Sequence, residues 1–331
     1  MKLLFVLVSL GALCASHAIP LATRDNSHYI EGSSRYLWMT DDEGRTRLED
    51  LHAPVDTDLL ATRNGADNQY WLYTRSNPRN PQIITYGNAS SVGNYSERKP
   101  LKVIVHGWEG SGNSVLNTMI TSAFLNKFDV NVIVVDWHSL ANANYVTATT
   151  GVPSVGQFIG NFVVWLINTA GGNWNNVHFI GFGLGAHAVG VAGRVTGGRP
   201  IRVTGLDPAG PLWNTNHDAL NTTAGRYVEV MHTDVGAMGI VQSIGHADFY
   251  PNRGRDQPGC GGSHQCSHNR AHSLYASSVT TDRYVGTLCP SLRWALRTVR
   301  CPGATLNMGN GILTKRGSGI YALSTRSLWP F

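Results

Sequence analysis

Between residues 177 and 195 the chain runs from an apolar stretch through Gly181-Phe182-Gly183-Leu184-Gly185-Ala186-His187 into the small residues Ala188, Gly190, Ala192 and Gly193. A strand, a sharp turn and a helix built this way can hold the residue at the tip of the turn against a bound molecule, because the flanking glycines carry no Cβ to clash. Downstream, the apolar run 201–204 leads into Gly205-Leu206-Asp207-Pro208, and Cys266-Ser267-His268 follows later. An acid and an imidazole in that order behind such a turn are what nucleophilic acyl transfer uses: the carboxylate orients the ring, and the ring takes a proton from an oxygen at the turn. Here the residue at the tip is Gly183, which has no oxygen to offer. Upstream, the run 101–105 ends in His106-Gly107-Trp108, where the amide of Trp108 can join that of Leu184 in holding a negatively charged oxygen.

The elements that must position these residues follow from the pattern of apolar runs. Strands are expected at 70–74, 83–86, 101–105, 130–135, 177–180, 201–204 and 227–231, several of them apolar throughout and therefore buried on both faces. Helices are expected at 114–128, 155–168 and 184–195, so strand and helix alternate, the order of an α/β fold with a mostly parallel sheet. Ligands in such folds bind beyond the carboxyl ends of the strands, where all the residues named above fall, at strand ends or in loops. An apolar fraction of 42% in 331 residues supports a sizeable core, and 37 glycines with 14 prolines imply many tight turns. Residues 19–65 show no period and carry Asp41, Asp42, Glu43, Glu49 and Asp50, the marks of an extension or pro-segment ahead of a domain at 66–331.

Lys2, the apolar run 3–13 and Ser16-His17-Ala18 make a secretory signal peptide over residues 1–18, so the mature chain is expected outside the cell. No transmembrane segment is expected beyond it, since the best stretch, 152–170, is interrupted by Ser154, Gln157, Asn161 and Asn168. With Cys14 lost alongside the leader, Cys260, Cys266, Cys289 and Cys301 can pair in three ways; an oxidising compartment and close spacing favour 260 with 266 and 289 with 301. Asn88, Asn94 and Asn221 open glycosylation sequons. The formal charge of +5 is scattered, which argues against nucleic-acid binding and supports at most weak attraction to anionic surfaces. Arg293, Arg297 and Arg300 alternate with Trp294, Leu296 and Val299, more often a solvated face than a polyanion patch. His106, His187, His232 and His246 read as packing or loop residues.

The sequence resembles the animal pancreatic lipase family, which includes lipoprotein lipases, secreted phospholipases A1 and insect yolk proteins. The resemblance runs from about residue 68 onward and is carried by His106-Gly107-Trp108, Asp136-Trp137, Gly181-x-x-x-Gly185-Ala186-His187, Gly205-Leu206-Asp207-Pro208-Ala209-x-Pro211, His232-Thr233-Asp234, the run 245–252 and Cys266-x-His268. It implies an α/β-hydrolase fold, Asp207 and His268 as acid and base, the amides of Trp108 and Leu184 as the oxyanion hole, and Cys260 and Cys266 bracketing a lid. It also implies that Gly183 stands where the family has its nucleophilic serine, and Phe182 where it usually has histidine. The lid, residues 261–265, is as short as in phospholipase A1 members. No C-terminal β-sandwich follows, so no colipase is expected, and segment 220–226 lacks the acidic residues that hold calcium in some members, so no metal or cofactor is expected. The resulting expectation is a secreted, catalytically inactive homologue that binds lipid, fatty acid or phospholipid in its cleft as a carrier or storage protein. The alternatives are an active lipase or phospholipase A1, and a module that acts through its surface.

Overall fold

Residues 26–40 and 45–331 are described by the computed structural model; the expected leader and Asp41, Asp42 and Glu43 lie outside them. In chain order the strands are β1 (Tyr36–Thr40), β2 (Thr46–Asp50), β3 (Gln69–Tyr73), β4 (Gln82–Ile84), β5 (Leu101–Val105), β6 (Asn131–Asp136), β7 (Val177–Phe182), β8 (Arg202–Leu206), β9 (Val228–Met231), β10 (Ala247–Pro251), β11 (Val285–Cys289), β12 (Thr305–Asn307) and β13 (Gly319–Leu323). The helices are α1 (Thr57–Thr62), α2 (Val115–Lys127), α3 (His138–Ala141), α4 (Tyr145–Ala170), α5 (Leu184–Val195), α6 (His264–Thr281) and α7 (Leu292–Ala295).

Eleven strands make one sheet in the order β12-β11-β13-β10-β9-β8-β7-β5-β6-β3-β4. The run from β13 to β6 is parallel throughout, and the pairs β11–β12 and β3–β4 close the edges antiparallel. Burial on both faces explains the apolar runs: Leu101, Val103 and Val105 of β5 enter the core beneath α4 and α5, while Ile104 enters the one beneath α2 and α6. This is the α/β-hydrolase arrangement expected from the alternation of strands and helices. Both favoured disulfides, Cys260–Cys266 and Cys289–Cys301, are present. Asn88 and Asn94 are exposed and Asn221 is half-buried.

Four differences from the sequence reading have physical causes. The helix expected from residue 155 begins at Tyr145 and keeps Pro153 inside it. Asn144 caps its first turn by accepting from Thr147, and Tyr145, Ala148 and Val152 are buried, so tertiary packing outweighs the proline. Long and apolar enough to cross a membrane by length and composition, α4 has half of its most apolar window buried inside the protein, as a core helix does. Second, His268 does not lie at a strand end or in a loop but in α6, whose many Ser, Thr and His residues hide the buried face formed by Ala271, Leu274, Tyr275 and Val279. Third, strands β10 to β13 are additional to those expected, because they are only three to five residues long and mix polar, glycine or proline positions with apolar ones. Fourth, the segment read as an extension is folded where it is described: β1 and β2 pair as a hairpin, and Leu37, Met39 and Leu51 join the core.

Close approach of α5 to the sheet sets the position of the turn that precedes it. A Cβ on Gly185 would stand 2.3 Å from the carbonyl oxygen of His106 and 2.4 Å from that of Val105, and one on Gly181 would stand 2.2 Å from the oxygen of Gly185. Alanine is the better helix former by about 1 kcal/mol, yet Gly185→Ala is expected to destabilise by about 1–3 kcal/mol because α5 must be pushed off β5. A chemical denaturation midpoint that is unchanged or raised would show that the contact is looser than this.

Candidate functional site

β7 is buried along its whole length and delivers the chain into Gly183, at φ 55° and ψ −119°, before α5 begins at Leu184. The turn is pinned on both sides: the Gly183 N–H donates to Leu206 O at 3.1 Å, and its carbonyl accepts from Ala186 and Ala209. Space is not what requires glycine here. A Cβ at this position would meet Nε2 of His268 at 3.2 Å and nothing else nearer than 3.7 Å, so the cost of a side chain is backbone strain, about 1–3 kcal/mol at such dihedral angles.

Asp207 follows β8 with no exposed surface and a φ of 39°. Its Oδ1 accepts the N–H groups of Thr233 at 2.6 Å and Asp234 at 3.1 Å, and its Oδ2 lies 2.6 Å from Nδ1 of His268. With the carboxylate accepting at Nδ1, the imidazole turns Nε2 toward the tip of the β7–α5 turn. The ring of Phe182 lies 4.4 Å from that of His268 and meets His272 edge-on at 5.4 Å, so it packs the imidazole from behind.

Trp108 is placed by the end of β5. Its Nε1 donates to Ala143 O at 2.9 Å, its ring meets Tyr145 edge-on, and the Cα of the preceding Gly107 lies 3.8 Å from where a Cβ of residue 183 would be. The Leu184 amide belongs to the first turn of α5, where N–H groups have no partner within the helix. Thus all five residues singled out from the sequence, Trp108, Gly183, Leu184, Asp207 and His268, gather at the carboxyl ends of β5, β7 and β8. Trp108, Gly183, Leu184 and His268 border one cavity together with Met39, Thr40, Tyr145, Phe182 and Gln265.

That cavity is only about 30 Å³, room for one water molecule rather than an acyl chain. The expected lipid cleft is therefore narrow beside Gly183, and the hairpin forms part of its wall. Met39 and Thr40 of β1 sit at the cavity wall. Arg47 of β2 bridges Glu49 and Glu109 and lays its guanidinium 4.7 Å from the centre of the Trp108 ring, while Glu49 accepts the Tyr145 N–H at 3.4 Å. Of the expected lid, 261–265, only Gln265 lines the cavity, and it lies in the first turn of α6 rather than in a loop.

The sequence reading missed a second acid–imidazole pair. His264 lies one turn before His268 on α6, and its Nδ1 is 2.9 Å from Oδ1 of the buried Asp234. Burial, with the neighbouring Asp207 carboxylate, pushes the Asp234 carboxyl up against the opposing pull of His264. The four-residue spacing of His264 and His268 was the available signal, and it speaks only once α6 is known to be a helix. The four histidines that the sequence reading assigned to packing or loops are packed: His106 and His187 stack on Trp137 and Trp213, and His232 and His246 on Tyr250 and Tyr227.

The sequence model of the Lipase family matches residues 39–294. The chain belongs to that family. It is 36% identical to Lipase member H-A of Xenopus laevis over 237 residues, covering 68% of this chain and 51% of that protein. It is 34% identical to Pancreatic lipase-related protein 2 of Cavia porcellus over 250 residues, covering 72% and 56%. The chain thus spans little more than half the length of these relatives. Among solved structures, Est1E from Butyrivibrio proteoclasticus overlaps 43% of this chain and 46% of its own, with a TM-score of 0.29 and 15% identity.

Two predictions follow from this geometry. Gly183→Ser adds a hydroxyl beside Nε2 of His268 at the cost of an L-residue in a left-handed turn, so thermal unfolding should show a loss of about 1–3 kcal/mol with the fold retained. A stability equal to the parent would mean the turn relaxes. Burial holds the imidazoles of His187 and His272 down at about 3, against an ordinary 6.5. The unfolded chain then binds protons that the folded chain does not, so the contribution of these two imidazoles to stability is complete above about pH 6.5 and is lost as pH falls toward about 3. Urea titrations across that window should show the slope, and His272→Phe should flatten it.

Proposed function

We propose that this chain is a secreted, non-catalytic member of the Lipase family that binds a fatty acid or lipid ester carbonyl at the amides of Trp108 and Leu184, as a carrier or storage protein. The observation that carries this reading is that Gly183 keeps the turn of an acyl-transfer site, 3.2 Å from His268 to the missing Cβ, without an oxygen to transfer to. Asp207 orients His268, and His268 has no side chain at 183 from which to take a proton. No acyl-enzyme can form on glycine. Losing the nucleophile of such a triad costs about 10⁶ in kcat, leaving about 10³–10⁴ over water from binding and the oxyanion amides. What remains suits a group that carries negative charge in its resting state: the two amides donate to a carboxylate oxygen, and His268, when protonated, adds a charge-assisted hydrogen bond. The acyl chain of such a ligand takes the space of Met39 and Thr40, so binding works against the seating of the β1–β2 hairpin. The two disulfides and the apolar leader support the extracellular setting.

A second reading is favoured by the size of the cavity. One water beside His268 and the two amides could attack an ester directly, which makes the chain a slow hydrolase. Effective molarity depends on fixed geometry, and an untethered water is held less firmly than a covalently placed oxygen.

The two readings part on a short-chain ester and on a phospholipid. The parent should give no turnover above the His268→Ala variant, whereas Gly183→Ser should gain esterase activity that a serine-directed inhibitor abolishes. Parent turnover lost in His268→Ala would establish the water route instead. Fatty-acid binding, followed by titration with a labelled acid, should tighten several-fold in Met39→Ala, which opens the cavity by three side-chain heavy atoms. Binding unchanged by this variant would remove the cleft from the carrier reading.

A further inference from the structure

Two segments far apart in sequence meet beside the carboxyl end of β10. One is the turn at 252–257. Asn252 and Arg253 have φ of 53° and 68°, and Asp256 has 46°, left-handed backbone that non-glycine residues adopt at a cost. The turn holds this shape because the Asn252 amide donates to Gln257 and Thr325, and the Gln257 amide donates to the carbonyls of Thr233 and Pro251. Arg253 and Arg255 project from it, exposed. Through Gln257 and Thr233 the turn is also joined to the support of Asp207, so it belongs to the same edge of the sheet as the candidate site.

The other segment is the loop closed by Cys289–Cys301. Ala295 is buried, and Leu292 and Leu296 pack with Val235, Tyr250 and Ala322. Those contacts seat the loop and turn Arg293, Trp294, Arg297 and Arg300 outward. Between the loop and the turn lies a groove of about 700 Å³, walled by Arg253, Arg255, Arg293 and Arg297 with Asp256 as its one acid. A hollow of about 410 Å³ shares Arg293 and Arg297 with the groove and is lined by Trp294, which is 51% exposed. Among the described residues none of these arginines makes an ion pair.

We propose that this groove and Trp294 form a docking surface for a membrane that carries anionic phospholipid. Four guanidinium groups around one carboxylate repel one another until an anion enters, and a planar fork of donors suits a phosphate oxygen pair. An exposed tryptophan between two arginines fits the boundary between headgroups and acyl chains, where the ring is partly buried and its N–H stays wet. That aromatic element selects a lipid surface over a purely polar polyanion. The disulfide and the seated leucines hold the charges in place beforehand, so little ordering entropy is lost on docking. The inference goes beyond the reading of the cleft and does not need it, since the groove uses none of the cleft's residues.

Co-sedimentation of the whole protein with vesicles tests it. Vesicles of phosphatidylcholine mixed with phosphatidylglycerol should pull the protein down, vesicles of phosphatidylcholine alone should not, and added salt should release it. The double variant Arg293→Gln, Arg297→Gln should bind roughly 25-fold more weakly, about fivefold for each charge removed near a charged bilayer. Trp294→Ala should weaken binding several-fold with its salt dependence intact. Arg98→Gln, whose side chain is 90% exposed elsewhere, should bind as the parent does. Equal binding to both vesicle types, or parental binding by the double variant, would overturn the proposal. So would salt-sensitive binding to dextran sulfate without binding to vesicles, which would reassign the groove to a soluble polyanion.

Discussion

The carboxylate of Asp207 has no contact with solvent, and a buried charge must find donors within the protein or cost several kcal/mol. It finds them on the turn after β9, through Thr233 and Asp234, and on α6, through His268. One group therefore fastens β8, that turn and α6 to one another. Loosening any of them would strand a charge in the core. This gives the Asp207–His268 pair a structural value that is independent of turnover, and it explains how an acid and an imidazole can stay aligned in a chain whose turn offers them no oxygen. The nearby Asp234–His264 pair extends the same device by one helical turn.

Around that anchor the rest of the site is a matter of close packing. Gly181 and Gly185 let α5 lie against β5 and β7, which sets where the turn points, and the turn in turn sets where the Leu184 amide stands. Gly183 differs from these two in kind. A Cβ there needs only a small shift of the His268 ring, 3.2 Å away, and the backbone conformation is the main resistance to one. A glycine there relieves strain while leaving the surrounding machinery undisturbed. The hairpin then lines the cavity, with Arg47 spanning two glutamates over the Trp108 ring.

Much of the fold could be read along the chain because local pattern and tertiary environment agree there. Strands buried on both faces look apolar in any context, and the β7–α5 turn announces itself through its glycines. The reading failed where tertiary contacts overrule local signals. Pro153 argues for a break, yet Asn144 and the buried face of α4 carry the helix across it. The polar composition of α6 conceals its apolar stripe, so the sequence reading places His268 in a loop and His264 in the 261–265 lid. The hairpin at 36–50 has polar and apolar residues in no clear order because only part of one strand, Leu37 to Met39, is inserted into the core.

The sequence by itself determined what the site lacks. A hydroxyl absent from residue 183 cannot be restored by any arrangement of the other 330 residues, since covalent chemistry at the turn depends on which atoms the side chain contains. Only the tertiary structure decided what fills the remaining space and where the charge collects. Met39 reaches the cavity across 144 positions from Gly183, and Arg253 and Arg255 join Arg293 and Arg297 in one groove although nothing in their spacing links them. Such meetings are set by the order of strands in the sheet and by the buried contacts that seat each loop, and neither is written in the local run of residues.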